Sequence, residues 1–416
     1  MNHEVGRSTE KQLLPLGETP APRWLTPEHV ATVEAAEECP FSQEEYARRL
    51  AAVRDRMAAR DLAAILIFRP SSIEYLCGYH TAETAPQPLL VTPTDTFLYV
   101  LDLEIGRALT SSHAQHIVYC NYADTGSRFR LIAEHVADVV PRNARVAMEP
   151  QHTSTPPWMF DLIEAANLDV VDGDFLVENI KLVLSPAEIR YVEEAAIATQ
   201  RGVEAAVAAA GRAGATDSSV AASIAGALFQ YADAPAAWGP VVVSGRRSGI
   251  PHSSWKLNPL DGGPTFLEFA GARHRYHAPV MRTLTRGRPS ATTERLAELA
   301  RTTLAAVLEN AKPGVPCDQI AERALQAIGP LRDVEVFHHL FGYPVGLAHP
   351  PHWMDSAPFY IARGNPEPLQ SGMVFHVPAS FRSFGTMGVG LSQTFVVEER
   401  GTRVLTHGPA ELVQVS

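Results

Sequence analysis

The apolar and polar positions of the chain alternate between stretches with a helical period and short, continuous apolar runs. After Phe41, the capping-box pair Ser42 and Glu45 precedes apolar side chains at helical spacing, which predicts a helix. Helical patterns at residues 128–140 and 156–166 are interleaved with continuous apolar runs that predict strands, at residues 63–68, 89–91, 97–101 and 145–148. This alternation of helices and strands predicts an α/β domain.

A change of pattern near Leu184 indicates a second domain. Ser185, Pro186 and Glu188 combine a helix cap, a proline at the first helical position and a capping-box glutamate. Helices are predicted from residue 186 to about 210, from Thr216 onward, and at residues 293–311 and 318–328. Strands and turns fill the centre and the C-terminal third. Helices that precede and separate long strand pairs predict an α+β domain.

These patterns divide the chain into three parts. Residues 1–40 form an N-terminal extension that is partly irregular, residues 41–184 the α/β domain, and residues 185–416 the α+β domain. The extension is rich in proline, glutamate and threonine and has no clear period. It either lies on a partner subunit or forms a flexible tail, and the sequence leaves both readings open.

Composition and charge narrow the class of protein. Hydrophobic residues make up 46% and charged residues 19% of the chain, as in ordinary soluble proteins. A net charge of −11 without a basic stripe argues against a nucleic-acid partner. The four cysteines have no metal or disulfide spacing, the N-terminus lacks the apolar core of a signal peptide, and no apolar run reaches the ~18 residues of a membrane span. We therefore expect a cytoplasmic protein with reduced thiols and no membrane partner.

The candidate chemistry is concentrated at residues 241–289. There His252 follows an apolar strand, and Glu268 is the single carboxylate of the apolar segment FLEFA. A carboxylate with an imidazole nearby suits acid/base or nucleophilic chemistry. Because an unpaired buried carboxylate is costly, Glu268 is either catalytic or one partner of a salt bridge. The arginines near enough in sequence for such a bridge are Arg273, Arg275 and Arg282.

Several short motifs carry a resemblance to a known superfamily. They are SIEYLCGYHT in the first domain and, in the second, KLVLSPAEI, VVVSGRRSGIPH, LEFAG with RYHAPVMRT, FGYPVGL and LQSGMVFHV. From residue 41 to residue 397 the chain resembles the creatinase, methionine aminopeptidase and Xaa-Pro peptidase superfamily. The resemblance implies a creatinase-type α/β N-terminal domain and a pita-bread catalytic domain. It also implies a homodimer in which the N-terminal domain contacts the neighbouring active site.

The metallopeptidases of this superfamily hold two metal ions with two aspartates, a histidine and two glutamates. Proline cannot bind a metal through its side chain, and tyrosine and serine are poor substitutes for histidine and glutamate. The resemblance therefore implies that this chain is not a metallopeptidase and needs no cofactor. The positions that match the five ligands are Glu268, Pro279, Tyr343, Pro378 and Ser392.

The chain is most similar to the metal-independent branch that contains ectoine hydrolase. The similarity lies in LEFAG with RYHAP, in a tyrosine within GYPVGL, and in Pro350-Pro351-His352-Trp353. It implies that Glu268 is catalytic, as a general base or as a nucleophile that forms a covalent intermediate. Acidic residues of that branch are replaced here, so we expect a less acidic pocket and a substrate other than ectoine. The replacing residues are His352, Asp355, Gly390 and Gln393.

Other side chains are candidates for proton transfer or substrate binding. His252 matches the proton-transfer histidine of creatinase, and histidine ordinarily titrates near ~6.5. The alternative is a histidine that only completes a turn. Three of the histidines, at 349, 352 and 376, match a zinc spacing only weakly, which favours substrate binding over a metal. His352 could equally be a surface residue and Trp353 a core residue, and Arg246 or Arg247 could bind a carboxylate or stay solvated. The substrate-binding candidates are Tyr343, His349, His376, Tyr276, Trp353 and His352.

Together these features predict a metal-independent hydrolase that cleaves a C–N bond, in an amidine, cyclic amidine or amide, of a small polar metabolite. Glu268 is the base or nucleophile and His252 the proton donor. Backbone amides of Gly262-Gly263-Pro264, or Tyr343, would stabilise the developing charge. Two other hypotheses stay open: a lyase or cyclase of a specialised pathway with the same residues, and a non-catalytic protein that binds a metabolite.

Overall fold

The structure is a computed structural model that describes residues 11–123, 126–260 and 263–415. It divides into two compact units, residues 1–180 and residues 181–416. The division lies four residues before Leu184, where the sequence pattern changes. Within the described ranges, no helix is both long enough and apolar enough to cross a bilayer.

The N-terminal unit is built on a mixed seven-stranded sheet, counted over its described residues, in the order β1-β5-β4-β3-β2-β6-β7. The pairs β4–β3 and β3–β2 are antiparallel, and the other pairs are parallel. Its strands are β1 (Gln12–Pro15), β2 (Ala64–Ile67), β3 (Leu89–Val91), β4 (Thr96–Leu101), β5 (His116–Cys120), β6 (Arg145–Met148) and β7 (Asp169–Asp172). Its helices are α1 (Pro27–Glu34), α2 (Gln43–Ala59), α3 (Pro70–Cys77), α4 (Ile105–Ser111), α5 (Arg128–Val139), α6 (Trp158–Ala165) and α7 (Glu178–Lys181), the last of which reaches the division.

Residues 11–40 of the partly irregular extension contain two regular elements that the sequence did not predict. β1 pairs in parallel with β5, and α1 begins at the N-cap Thr26, whose side chain accepts a hydrogen bond from the backbone of His29. Strand β1 has only four residues and is half-buried, so its apolar pattern is too short to be read as a strand. Residues 1–10, the rest of the predicted extension, lie outside the described residues.

The helix predicted after Phe41 is confirmed, but its capping box is not. α2 begins after Ser42, and the Ser42 side chain makes no capping hydrogen bond. Glu45 instead accepts hydrogen bonds from Arg48 and Arg49. A nearby guanidinium is a stronger partner for a carboxylate than a backbone amide. The Glu45 carboxylate therefore bonds to the arginines and not to the backbone N–H of Ser42.

The described residues of the C-terminal unit form two sheets. One has the order β16-β10-β9-β8, and the other the order β11-β13-β14-β15 with β12 paired to β13. The strands are β8 (Val241–Ser244), β9 (Thr265–Arg273), β10 (Tyr276–Arg286), β11 (Glu335–Val336), β12 (Tyr343–Pro344), β13 (Val374–Ser383), β14 (Met387–Glu398), β15 (Gly401–Val404) and β16 (Leu412–Val415). The helices are α8 (Pro186–Ala210), α9 (Asp217–Tyr231), α10 (Ala291–Asn310) and α11 (Cys317–Ile328).

Helix α8 fixes the position of β9. The predicted capping box is present: the Ser185 side chain accepts from the backbone of Glu188, and the Glu188 side chain accepts from the backbone of Ser185. α8 then lies directly on β9, because Gly271 has no side chain. A Cβ at Gly271 would come within 2.5 Å of the carbonyl oxygen of Ala195. The helix covers one face of the sheet, which leaves the opposite face of β9 for other contacts.

Candidate active site

Strand alternation places Glu268 on the face of β9 that turns away from the helices. Leu267 and Phe269 pack in the core beneath α8 and α9, whereas Phe266 belongs to a separate cluster on the other face. Glu268 follows Phe266 by two residues and therefore points to that second face. Its antiparallel partner on β10 is Met281, which belongs to the same cluster.

A cavity of about 460 Å³ opens on this face. β13 contributes alternate residues to it, Pro378, Ser380 and Arg382, as the two-residue period of a strand requires. Apolar side chains form most of the remaining wall. The full lining is Pro251, His252, Glu268, Met281, Phe337, His338, Leu340, Tyr343, His352, Met354, Pro378, Ser380 and Arg382.

The Glu268 carboxyl is the acidic group of this cavity. Its side chain is buried, and burial raises its pKa to about 7, against a smaller opposing effect from the positive charge of Arg382. Among the described residues we find no hydrogen-bond or ion-pair partner for the carboxyl. At neutral pH the group is thus divided between its carboxylate and carboxylic acid forms.

In the part of the chain that the structure describes, none of the arginines proposed from sequence forms a salt bridge with Glu268. Arg273 pairs with Glu194 and Asp233. Arg282 donates hydrogen bonds to the carbonyl oxygens of three residues, at 281, 392 and 407. Arg275 does not line the cavity. The structural alternative for Glu268 therefore finds no support in these contacts.

Tyr343 lines the cavity at the end of a buried hydrogen-bond chain. Its hydroxyl accepts from Nε1 of Trp353 at 2.9 Å and lies 2.6 Å from Nδ1 of His376. Nε2 of His376 lies 2.6 Å from Oγ of Ser392, which accepts from the backbone N–H of Met281 at 2.5 Å. Burial lowers the pKa of His376 to about 3, so the imidazole is neutral.

The hydrogen-bond requirements of this chain select one tautomer of His376. If Nδ1 carries the proton, Tyr343 accepts twice and Ser392 donates to Nε2, so the one hydroxyl proton left without a partner in this network is that of Tyr343, which lines the cavity. The opposite tautomer would leave the Ser392 hydroxyl proton without an acceptor in the chain. With the proton on Nδ1, the Tyr343 O–H is free to donate into the cavity. Burial, and then the charge of Glu268, raise the pKa of Tyr343 well above its ordinary value, which keeps that proton in place.

Histidines form the outer part of the cavity. His252 lies in an exposed turn with φ of 56°, and its ring is 5.5 Å from that of Trp238. His352 packs on the same tryptophan at 4.7 Å. Burial, and then the charge of His252, lower the pKa of His352 to about 4. The cavity thus contains a neutral histidine beside an exposed one.

The other predicted residues lie outside the cavity lining. The Tyr276 hydroxyl donates to Glu188 at 2.8 Å, and Trp353 and His376 lie behind Tyr343. His349 is buried, and its backbone N–H donates to Asp355. Of the predicted substrate-binding residues, only Tyr343 and His352 border the cavity. Of the predicted Gly262-Gly263-Pro264 turn, Gly262 lies outside the described residues.

Arg246 and Arg247, the carboxylate binders considered from sequence, have internal partners. Arg247 pairs with the buried Asp217 at 3.3 Å, and Arg246 donates to the carbonyl oxygen of Gly385. Arg382 is the arginine that borders the cavity, and sequence reasoning missed it together with Ser380 and His338. The sequence could have indicated Ser380 and Arg382, because in HVPASFR they lie at the same two-residue spacing as His376.

Most of the positions at which the ectoine hydrolase branch was expected to carry acidic residues lie outside the cavity wall. Only His352 borders the cavity among them. At Gly390 there is no room for a side chain, since a Cβ would lie 2.1 Å from the ring of Phe266. The Gln393 side chain bonds to Thr406 and Gly408.

The side chains at the five family ligand positions do not fit a pair of metal ions. Glu268 is the sole carboxylate, and two of the five positions hold prolines. The oxygens of Tyr343 and Ser392 are already engaged by His376. In the part of the chain that the structure describes, one group of potential ligands is compact enough for a metal: Glu37, Cys39 and His113 of the N-terminal unit.

Comparison with known proteins agrees with this architecture. Residues 190–399 match the model of metallopeptidase family M24, and residues 49–202 match that of the creatinase/prolidase N-terminal domain. The chain belongs to the creatinase/aminopeptidase P superfamily. The predicted creatinase-type N-terminal domain and pita-bread C-terminal domain are therefore confirmed.

Similar members of this superfamily include hydrolases and a dipeptidase. An uncharacterized hydrolase/peptidase of Sinorhizobium fredii is 30% identical over 90% of this chain and 98% of its own length. Ectoine hydrolase of Halomonas elongata is 27% identical over 90% of this chain and 98% of its length. The crystal structure of dipeptidase PepE from Mycobacterium ulcerans superposes with a TM-score of 0.75 at 24% identity, over 90% and 99% of the two chains. These relatives support hydrolytic cleavage of a C–N bond.

Proposed function

We propose that this protein is a metal-independent hydrolase that cleaves a C–N bond of an amidine, cyclic amidine or amide in a small metabolite. The observation that carries the proposal is Glu268: a buried carboxyl with a pKa raised to about 7, at the wall of a 460 Å³ cavity, without a hydrogen-bond partner among the described residues. A general base works best when its pKa lies near the operating pH. Burial of Glu268 supplies that match.

Three side chains divide the work. The Glu268 carboxylate takes a proton from water, whose oxygen attacks the substrate carbon. The Tyr343 O–H donates a hydrogen bond to the heteroatom on which negative charge develops, an arrangement typical of an oxyanion hole. His252, at the cavity mouth, gives a proton to the departing nitrogen; Glu268 then releases its proton to the solvent, and His252 takes one up from it. The direct attack of Glu268 on the carbon is the alternative first step.

The donor set supports the absence of metal from this mechanism. A dinuclear site needs several anionic ligands around two cations, and here a single carboxylate occupies the five family positions. In addition, the Tyr343 and Ser392 oxygens already take part in the hydrogen-bond network that links Trp353, Tyr343, His376 and Ser392. The site therefore stabilises charge with a phenol in place of a cation.

The test is a product assay in ¹⁸O-labelled water with a panel of amidines, ureas, lactams and cyclic amidines. Wild-type protein is expected to produce a product that contains one labelled oxygen. Glu268→Gln is expected to lose this activity and keep its fold, because glutamine has nearly the same shape. Glu399→Gln, a change at an exposed carboxylate of the same unit, is the control and is expected to retain activity.

The labelled product separates the competing functions. A product without labelled oxygen would show that the reaction is an elimination or a cyclisation and not a hydrolysis. Ligand binding without turnover in the wild type would instead indicate a metabolite-binding protein. Full activity of Glu268→Gln would contradict the assigned role of Glu268.

A further inference from the structure

Two polar side chains of β13 face the cavity without a hydrogen-bond partner. Within the described ranges, Nε of Arg382 and Oγ of Ser380 have none, although both atoms are inaccessible to solvent. The two residues are buried, with 9% and 8% exposure, and both line the cavity. They are two positions apart on one strand, so their side chains point the same way at a separation of roughly 7 Å.

Unpaired buried donors are costly, and most protein structures avoid them. An unsatisfied buried group costs about 1–3 kcal/mol, and a charged group costs more. A guanidinium has only donors, so its partner has to be an acceptor, and an anionic acceptor suits it best. The C-terminal unit thus maintains a buried cation and a hydroxyl at an open cavity wall without satisfying either.

Glu268 only partly fulfils the role of counter-ion to Arg382. The two charges attract each other, but the residues form no ion pair within 4.0 Å among the contacts described. The Glu268 pKa of about 7 also means that the carboxyl is only partly charged at neutral pH. Arg382 therefore retains capacity for a second anion.

The remaining wall favours a small monoanion with an apolar part. Met281, Phe337, Leu340 and Met354 provide apolar surface. The other titratable side chains that line the cavity are His252, His338, Tyr343 and His352, and the charges of Arg382 and His252 lower the pKa of His338 after burial does. One guanidinium and one hydroxyl match the two oxygens of a carboxylate, whereas a phosphate dianion beside Glu268 would lack sufficient positive charge.

We propose that Arg382 and Ser380 form a carboxylate subsite that holds the acid group of the substrate beside Glu268. This inference rests on the proposed function, because it places the substrate in the same cavity. It narrows the substrate class to small monocarboxylic acids that also carry the amidine or amide nitrogen to be cleaved. Arg382 and Ser380 each donate to the acid group, and the apolar wall covers the carbon skeleton.

The experiment measures binding of two carboxylates, butyrate and pyroglutamate, against their neutral amides. Titration calorimetry on the full chain at constant ionic strength is expected to give tighter binding of both acids than of the amides. Arg382→Gln is expected to weaken acid binding at least ~10-fold, or about 1.4 kcal/mol, and to leave the amides unchanged. Ser380→Ala is expected to weaken it a few-fold. Arg246→Gln, at an exposed arginine of the same unit, is the control.

Proton uptake provides a second measurement that a purely structural role of Arg382 would not produce. A carboxylate bound beside Glu268 adds negative charge, so Glu268 binds its proton more tightly and a proton is taken up near pH 7. Calorimetry in two buffers of different ionisation enthalpy measures this uptake. Glu268→Gln is expected to bind the acids without it.

Several outcomes would overturn the subsite. Equal affinity for acids and amides in the wild type, including no binding of either, would do so. Unchanged acid binding in a folded Arg382→Gln would do so as well, and Ser380→Ala provides the decision if Arg382→Gln does not fold. Failure of the proposed function looks different: acid binding would depend on Arg382 while no panel compound is hydrolysed. Failure of the subsite alone would leave hydrolysis that depends on Glu268 but not on Arg382.

Discussion

Burial of Glu268 raises its pKa, which suits a general base but lowers the free energy of unfolding at neutral pH. The carboxyl binds its proton more tightly in the folded protein, where its pKa is about 7, than in the unfolded chain, where the ordinary value is 4.5. Its contribution to stability is therefore fully present below pH 4.5 and is lost as the pH rises through 7. The shift corresponds to roughly 3 kcal/mol as an upper value.

Glu268→Gln removes this pH dependence. We expect the free energy of unfolding of the variant to gain on that of the wild type between pH 4.5 and 7, by up to about 3 kcal/mol, and then to stay level. Urea unfolding of both proteins across this range measures the difference. Buried histidines with lowered pKa values, such as His376, affect both proteins alike and cancel. A constant difference over the range would show that the pKa of Glu268 is not raised.

The Tyr343 hydroxyl is expected to act on the transition state. Tyr343→Phe removes the donor into the cavity, so kcat should fall by about 10²–10³. It also leaves the donors of Trp353 and His376 unpaired, at about 1–3 kcal/mol each. Tyr276→Phe is the matched control, because it removes a buried hydroxyl that bonds to Glu188 away from the cavity. Steady-state kinetics and thermal unfolding separate the effects, and equal losses of kcat in the two variants would contradict the role of Tyr343.

At this scale the sequence is informative about charge but not about contacts. Glu268 stands out because it is one carboxylate in an apolar strand, and His252 because of its motif. Arg382 and His338 do not, since arginine and histidine in a strand-rich region are ordinary until the partner strands are known. Which side chains remain unpaired depends on residues more than a hundred positions away, as with Glu268 and Arg382.

Among the elements, β13 matters most for the site. Its register sets Tyr343 of β12 opposite His376, and Ser392 of β14 opposite Pro378. One strand therefore supplies the imidazole behind Tyr343 and, further along the same face, the two groups of the carboxylate subsite. A shift of one residue would turn Ser380 and Arg382 away from the cavity and His376 away from Tyr343.

The contact between α8 and β9 is a second requirement of the site, and it can be tested with glycine substitutions. Gly271→Ala would place a Cβ 2.5 Å from the carbonyl oxygen of Ala195, so we expect a loss of about 1–3 kcal/mol and reduced activity as β9 and Glu268 move. Gly226→Ala is the control, since Gly226 lies exposed in α9 with no atom near a Cβ. It should stabilise the protein by about 0.5–1 kcal/mol. Thermal unfolding distinguishes the two, and similar melting temperatures would contradict the packing.

Elements with a clear local pattern were predictable, and strands that depend on distant partners were not. The capping box of α8 and the bounds of β6 follow from local sequence alone. In contrast, β1 and the two-residue strands β11 and β12 exist only through pairing with distant strands. The capping box predicted at Ser42 is absent because Glu45 finds two arginines, a competition that spacing does not reveal.

For the whole molecule, metal removal is the most direct test. We expect dialysis against a chelator to leave hydrolysis unchanged, because the five family positions lack the ligands for two metals. Activity assays before and after dialysis, with elemental analysis, measure this. A metal held by Glu37, Cys39 and His113 would be lost in Cys39→Ser without loss of activity. Activity that disappears with the metal and returns on its addition would contradict metal independence.

The edge strand β1 has a consequence for the solubility of shortened chains. β1 covers four residues of β5, which would otherwise present free backbone donors and acceptors there. β1 itself ends at Pro15, which has no N–H to offer to a further strand. Removal of the first fifteen residues would thus expose the edge of β5, and we expect the shortened chain to aggregate through that edge. The short N-terminal strand thus protects the edge of the sheet from pairing with strands of other molecules.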